Sequence, residues 1–171
     1  MGQISKLGSS EDLDVRTWAR DVRDRFNNYI QVLDVPVSKN GIIGNYTHGR
    51  HPAKLMVVGD SGYFGFVVPH ALAEFKQVTI RLIANTTGTI NYTVNLSYGG
   101  VGQNHAILTK TLAVVGRALT DNLISELDIT SLFTGTNGDQ NLDDQVGVEF
   151  VVNALAVTVS VDVLTLYIKY I

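Results

Sequence analysis

An antiparallel β body preceded by one amphipathic helix is the fold this chain predicts, on three observations. Ile90, Tyr92, Val94, Leu96 and Tyr98 hold the even positions of one stretch and Thr89, Asn91, Thr93, Asn95 and Ser97 the odd ones. That is the two-residue period of a strand with one buried and one wet face. Short alternating segments of the same kind, punctuated by Gly, Asn and Pro, recur from Leu55 to the end and total about eight strands. Near the N-terminus the period changes: Val15, Trp18, Val22, Phe26, Tyr29 and Leu33 are spaced three, four, four, three and four, a single stripe along a helix.

The helix is predicted over 10–33. Ser9-Ser10-Glu11-Asp12 supplies a hydroxyl cap and two acids that suit a helix N-terminus, and Asp34-Val35-Pro36 stops the helix, because Pro36 disfavours helical geometry at the residue before it. Such a stripe packs either on its own sandwich or on other copies of the chain. Its place before an otherwise all-β body favours the second, so Val15, Trp18, Val22, Phe26 and Tyr29 are the expected oligomer interface. The division that follows is 1–36 as anchor or oligomerisation segment, 37–53 as linker rich in turn formers, and 54–171 as the β-sandwich domain.

Within that domain Leu55-Met56-Val57-Val58 and Tyr63-Phe64-Gly65-Phe66-Val67-Val68 flank Gly59-Asp60-Ser61-Gly62, and a hairpin is expected. A second hairpin is expected where Val78, Ile80, Leu82 and Ala84 meet the stretch from Ile90 across Thr86-Thr87-Gly88. Gly99-Gly100-Val101-Gly102 reads as the tip leading to a strand over 106–115. Glu126-Leu127-Asp128-Ile129-Thr130 reads as an edge strand, and Val146, Val148, Phe150 and Val152 alternate again. The last run is apolar at Val157, Val159, Val161 and Val163 but then at Leu164, Leu166, Ile168 and Tyr170, and such a change of phase calls for a bulge. About eight short strands at even spacing, without internal repeats, indicate a β-sandwich or jelly roll.

Composition narrows the function. The chain has 171 residues, 45% hydrophobic and 17% charged, with a formal net charge of −3 and no cysteine. One core is affordable at this length. The charges are scattered, which disfavours nucleic acid, and no apolar run is long enough to span a membrane as a helix or to read as a signal peptide. Disulfides, thiolate ligands and cysteine nucleophiles are all ruled out.

Candidate chemistry is sparse. Gly99-Gly100-Val101-Gly102 lacks the following Gly-Lys-Ser/Thr of a phosphate loop. His48 and His51 have no third ligand nearby, and His70 and His105 have no nucleophile context, so neither a metal nor a catalytic set is expected. Asp139, Asn141, Asp143 and Asp144 offer hard oxygens without the glycine and distal glutamate of an EF-hand, and a solvated turn is the better reading. No cofactor is expected. The wet face of small amides and hydroxyls is unusual where lysine and glutamate are common, and suits close lateral contact between subunits.

Tyr63-Phe64-Gly65-Phe66-Val67-Val68-Pro69, Val78-Thr79-Ile80-Arg81-Leu82-Ile83, Leu127-Asp128-Ile129-Thr130, Asp144-Gln145-Val146-Gly147-Val148-Glu149-Phe150 and the closing Tyr167-Ile168-Lys169-Tyr170 resemble the jelly-roll structural proteins of tailed bacteriophages, of capsid-decoration, head-fibre or tail-fibre type. The resemblance covers roughly 55–171. It implies a non-enzymatic virion component, a homotrimer anchored through its N-terminal segment to other virion proteins, and a sandwich displayed outward to meet a host-surface glycan. The alternative is a carbohydrate- or receptor-binding sandwich module, with Tyr46, Tyr63 and Tyr98 as aromatic platforms. An enzyme using His48 or His51 is a third.

Overall fold

The even-numbered side chains from Ile90 to Tyr98 are all buried, at 3% exposure or less, and the architecture grows outward from that stripe. The computed structural model describes residues 15, 17, 18, 30–39, 46–69, 72, 74–104, 108–134, 144–156 and 160–171. Within them the chain forms β1 (Gln31–Pro36), β2 (Ser38–Lys39), β3 (Tyr46–His48), β4 (His51–Met56), β5 (Ser61–Val67), β6 (Phe75–Ala84), β7 (Gly88–Gly99), β8 (Leu108–Leu119), β9 (Ile124–Asp128), a 3-10 turn at Thr130–Leu132, β10 (Gln145–Leu155) and β11 (Val161–Tyr170). Two antiparallel sheets face each other. The first runs β3-β4-β11-β6-β9, with β1 also on β11, and the second runs β2-β5-β10-β7-β8.

Counted from β4 to β11 as first to eighth, the long strands order as 1-8-3-6 in one sheet and 2-7-4-5 in the other. This is a jelly roll of two interlocked Greek keys. The core between the sheets joins Val78, Ile80 and Leu82 of β6, Leu166 and Ile168 of β11, Val94 and Leu96 of β7 and Val148 and Phe150 of β10. Each such side chain contributes roughly 1.5–3 kcal/mol relative to exposure.

Neither expected hairpin forms. β4 and β6 lie in the first sheet and β5 and β7 in the second, so both short connections are arches that carry the chain over the core. The reason is that alternation dictates which face of a strand is apolar and leaves the hydrogen-bonded neighbour open. An arch lets two apolar faces meet across the core, where a hairpin lays them side by side. The arches are pinned: Asp60 Oδ2 accepts the Val57 N–H at 2.9 Å, the Gly59 N–H donates to the Val152 carbonyl, and the Asn85 side-chain amide donates to the Ser160 hydroxyl. The expected hairpin around Gly99-Gly100-Val101-Gly102 does form, joining β7 to β8 in register from Tyr98 opposite Leu108 to Gly88 opposite Leu119.

The phase change in the last strand is a bulge. Pairing of β11 with β6 slips between Val163 and Thr165, and at that point the strand on the other side of β11 changes from β4, opposite Val161 to Val163, to β1, opposite Thr165 to Tyr170. A second bulge sits in β8, where Gly116 takes φ +72, a conformation glycine adopts without strain, and donates its N–H to Asn91 Oδ1 at 2.8 Å. Glu126 to Asp128 ends an edge strand, β9, as its alternation suggested. Two cations of β8 cross the open side of the sandwich toward that edge: Lys110 Nζ donates to the Leu132 carbonyl and Arg117 Nη2 to the Glu126 carbonyl.

The N-terminal helix requires correction. Gln31–Pro36 is a strand paired with β11, so Leu33 is not helical. Its predicted helical phase is overridden because an extended segment here satisfies the free edge of β11. Val15, Thr17 and Trp18 have helical backbone, but no α-helix stands as an element among the described residues. Val22, Phe26 and Tyr29 lie outside them. The stretch 37–53 contributes β2, β3 and the start of β4.

One end of the core is closed by Phe66, Phe75 and Phe133, with ring centroids 5.1 Å apart for Phe75 and Phe133 and 6.3 Å for Phe66 and Phe133. Thr130 holds Phe133 in place: its hydroxyl accepts the Val78 N–H and donates to Asp128. Phe133→Ala is therefore expected to destabilise the fold by about 3–5 kcal/mol, read as a lower urea midpoint with an unchanged slope. A loss under about 1 kcal/mol would show that this end of the sandwich closes without the ring.

Candidate functional site

Because the even phase of β7 is buried, its odd phase faces outward, and the partner strands bring their own outward residues alongside. Ser38 of β2 lies opposite Tyr63 of β5, Tyr63 opposite Glu149 of β10, Glu149 opposite Asn95 of β7, and Asn95 opposite Thr111 of β8. One straight row of polar side chains thus crosses all five strands, over four inter-strand steps of roughly 4.8 Å each. The next outward row is nearly bare: Gly65 opposite Gly147, Gly147 opposite Ser97, Ser97 opposite Thr109.

The two rows form the floor of a groove of about 590 Å³, within the size range of small-molecule sites. An added Cβ at Gly65 would meet only the Val146 carbonyl at 3.9 Å, and one at Gly147 would meet the Ser97 hydroxyl at 3.2 Å. The trough is therefore open because these two positions lack side chains. Glycine inside a strand often marks such a close approach.

The polar row is wired together. Thr111 Oγ1 donates to Asn95 Oδ1 at 3.0 Å, Asn95 Nδ2 donates to Glu149 Oε2 at 2.9 Å, and the Tyr63 hydroxyl donates to Glu149 Oε1 at 3.1 Å. Hydrogen bonding from Asn95 lowers the Glu149 pKa from its ordinary 4.5 against the opposing effect of burial, with further help from Tyr63 and Ser61. Glu149 is thus ionised at neutral pH, while Tyr63 keeps 37% of its surface exposed at the groove wall. Its ring offers an apolar face with a polar tip.

A smaller groove of about 360 Å³ on the first sheet is lined by Asp34, His51, Arg81, Ile124 and Thr165 among others. There Arg81 is spent internally: Nε and Nη2 both donate to Glu126 Oε1, at 2.9 and 2.8 Å, and the guanidinium lies 3.5 Å from the Tyr167 ring centroid. The second sheet's groove is the better candidate, since its glycine trough is unfilled.

Of the residues singled out from sequence, Tyr63 lies in the groove, Tyr98 is in the core at 1% exposure, and the Tyr46 side chain lies outside the described residues. His48 and His51 are register partners in the β3–β4 pair, which belongs to the other sheet from the groove. No group of three or more His, Cys, Asp or Glu gathers among the described residues. Asp139, Asn141 and Asp143 lie outside them, and Asp144 is buried at 4%, its carbonyl accepting the Val68 N–H. Val15 and Trp18 are 63% and 67% exposed. Glu149, Gly65 and Gly147 were not anticipated and Asn95 was read only as part of a wet face, although two glycines at outward positions of otherwise regular strands were visible.

The depressed titration of Glu149 has a stability consequence with a definite sign. Its hydrogen bonds favour folding above the unfolded value near 4.5, and this contribution is lost as pH falls through the lower folded value. Asn95→Ala is expected to move the Glu149 titration back up toward the ordinary carboxylate range and to shrink the acid-side loss, followed by NMR of the side-chain carboxyl carbon. An unmoved titration would show that Asn95 does not hold the carboxylate.

No family model matches the sequence, and no curated protein matches it. Among solved structures the chain is similar to the CBM36-1 domain of a multidomain xylanase from the hindgut metagenome of Trinervitermes trinervoides, at 15% identity and a TM-score of 0.43 over 81% of this chain and 96% of that one. It is similar to a carbohydrate-binding module CBM36 in complex with calcium and xylotriose, at 13% identity and a TM-score of 0.42 over 81% and 98%. A third is the enzymatically active domain of bacteriophage CBA120 tailspike protein 4, at 8% identity and a TM-score of 0.33 over 84% of this chain and 20% of that one. The jelly-roll order itself stands on the strand pairing described above.

Proposed function

We propose that this chain is a non-catalytic carbohydrate-binding module that takes an oligosaccharide in the groove over β2-β5-β10-β7-β8. The carrying observation is the paired rows: a bare strip at Gly65 and Gly147, beside a line of hydroxyl, amide and carboxylate groups. A sugar presents C–H faces and a rim of hydroxyls. The first suits bare backbone and the Tyr63 ring, and the second suits side chains that both donate and accept, as Asn95, Ser97, Thr109 and Thr111 do. Hydrolysis of a glycosidic bond ordinarily requires two carboxyl groups flanking it, and Glu149 is the one carboxylate among the residues lining the groove, which supports binding without turnover.

A glycan microarray followed by calorimetry on its hits tests this reading. Tyr63→Ala is expected to weaken binding about tenfold, equivalent to roughly 1.4 kcal/mol. Gly147→Val, which puts a side chain into the trough, is expected to abolish binding while leaving the unfolding midpoint within a few degrees of wild type. An array without hits, or unaltered affinity in Gly147→Val, would overturn the reading.

A second proposal concerns assembly and is favoured by the exposure of Val15 and Trp18, three residues apart on helical backbone. Two large apolar side chains left in water on one helical face call for a covering partner. The stripe Val15, Trp18, Val22, Phe26 and Tyr29 touches another copy in a homotrimer, displayed on a virion so that the groove meets a host-surface glycan. A closed ring covers such a stripe without leaving a growing end. Trp18→Asp is expected to lower the mass found by light scattering to that of a monomer, with the β circular dichroism retained. A wild type already monomeric at micromolar concentration would refute it.

A further inference from the structure

The floor of the groove is almost uncharged. Among the described residues, the outward positions of β5, β7, β8 and β10 hold Ser, Thr, Asn, Gln, Gly, Tyr, Ala and Val, with Glu149 as the single charged side chain. Glu149 stands on the middle strand of the five. Its two oxygens accept from the Tyr63 hydroxyl and the Asn95 amide, donors that carry no charge. Lys110 also lines the groove, but its Nζ is turned through the open side of the sandwich to the Leu132 carbonyl at 3.1 Å. Arg81 belongs to the other sheet and is paired with Glu126. The carboxylate is therefore held in place by neutral donors, and among the described side chains of β5, β7, β8 and β10 no cation faces it from the floor.

We infer that Glu149 acts as a charge filter: the groove takes neutral oligosaccharides and turns away chains bearing carboxylate or sulfate. This rests on the carbohydrate-binding reading and adds to it the class of sugar. A neutral chain supplies hydroxyl donors to the remaining lone pairs of Glu149. An acidic chain laid on the same floor brings a second negative charge within a few ångströms, and Coulomb repulsion at that range is incompletely screened.

The test uses hexamers of β-1,4-linked glucose, mannose and galactose, each beside its counterpart with the primary alcohols oxidised to carboxylates, titrated by calorimetry into wild type and Glu149→Gln. In wild type at low salt, a neutral hexamer is expected to bind at least about tenfold more tightly than its oxidised form, equivalent to about 1.4 kcal/mol. Glu149→Gln is expected to weaken binding of the neutral hexamer, since an amide offers fewer acceptor pairs than a carboxylate, and to narrow that gap to about threefold or less, and the wild-type gap is expected to shrink as salt rises from about 20 mM to about 500 mM. A gap that persists in Glu149→Gln and does not respond to salt, or equal binding of both forms by wild type, overturns the filter alone. If no hexamer binds and the glycan microarray is also blank, the carbohydrate-binding reading falls and the filter with it.

Discussion

The structure depends on which phase of β7 and β10 is buried. Ile90, Tyr92, Val94 and Leu96 on one strand and Val146, Val148, Phe150 and Val152 on its neighbour all point into the core, each at 3% exposure or less. Slipping either strand by one residue would turn its four apolar side chains to water and put Asn95 and Ser97, or Gly147 and Glu149, inside, at a cost no domain of this size can bear. The same constraint that builds the core therefore sets the groove. Opposition of Glu149 to both Tyr63 and Asn95, and of Gly147 to both Gly65 and Ser97, follows from the register that buries Val148.

How much of this was legible in the sequence follows from the same constraint. Alternation identified β5, β6, β7, β10 and β11, the edge character of β9 and the bulge near Leu164, because side-chain phase is a local property. It did not identify partners. Both expected hairpins have the right strands and short turns, yet an arch satisfies the same phase pattern. The choice was made by contacts distant in sequence, such as the pinning of Gly59 to Val152 and of Asn85 to Ser160. Leu33 illustrates the limit from the other side, since its helical spacing from Tyr29 was overridden by the open edge of β11.

The candidate site was legible only in pieces. Asn95 and Ser97 stood out as a wet face, and Tyr63 was named as a platform, but Glu149 is 86 positions from the Tyr63 it touches. No local motif can signal a row assembled across five strands. Tyr98 shows that phase was the stronger signal. It shares parity with Leu96 and Val94, so the alternation that predicted the strand already placed it in the core, where it is 1% exposed.

The two outer faces of the sandwich differ in what their long side chains do. On the first sheet Arg81, Glu126, Gln77 and Tyr167 close on one another, with Gln77 Nε2 donating to the second Glu126 oxygen at 3.3 Å and Arg81 stacked on the Tyr167 ring. A ligand there must break contacts already made, and each charged hydrogen bond lost has to be replaced. On the second sheet the groove is lined by short side chains and glycine, and its lysine is drawn off to the edge by the Leu132 carbonyl. The Tyr63–Glu149–Asn95–Thr111 chain is preorganised, yet the Ser97 and Thr109 hydroxyls beside the glycine strip make no hydrogen bond to another described side chain. Preorganised groups next to open ones lower the ordering cost of binding. That difference separates a face closed on its own side chains from one that leaves a groove open.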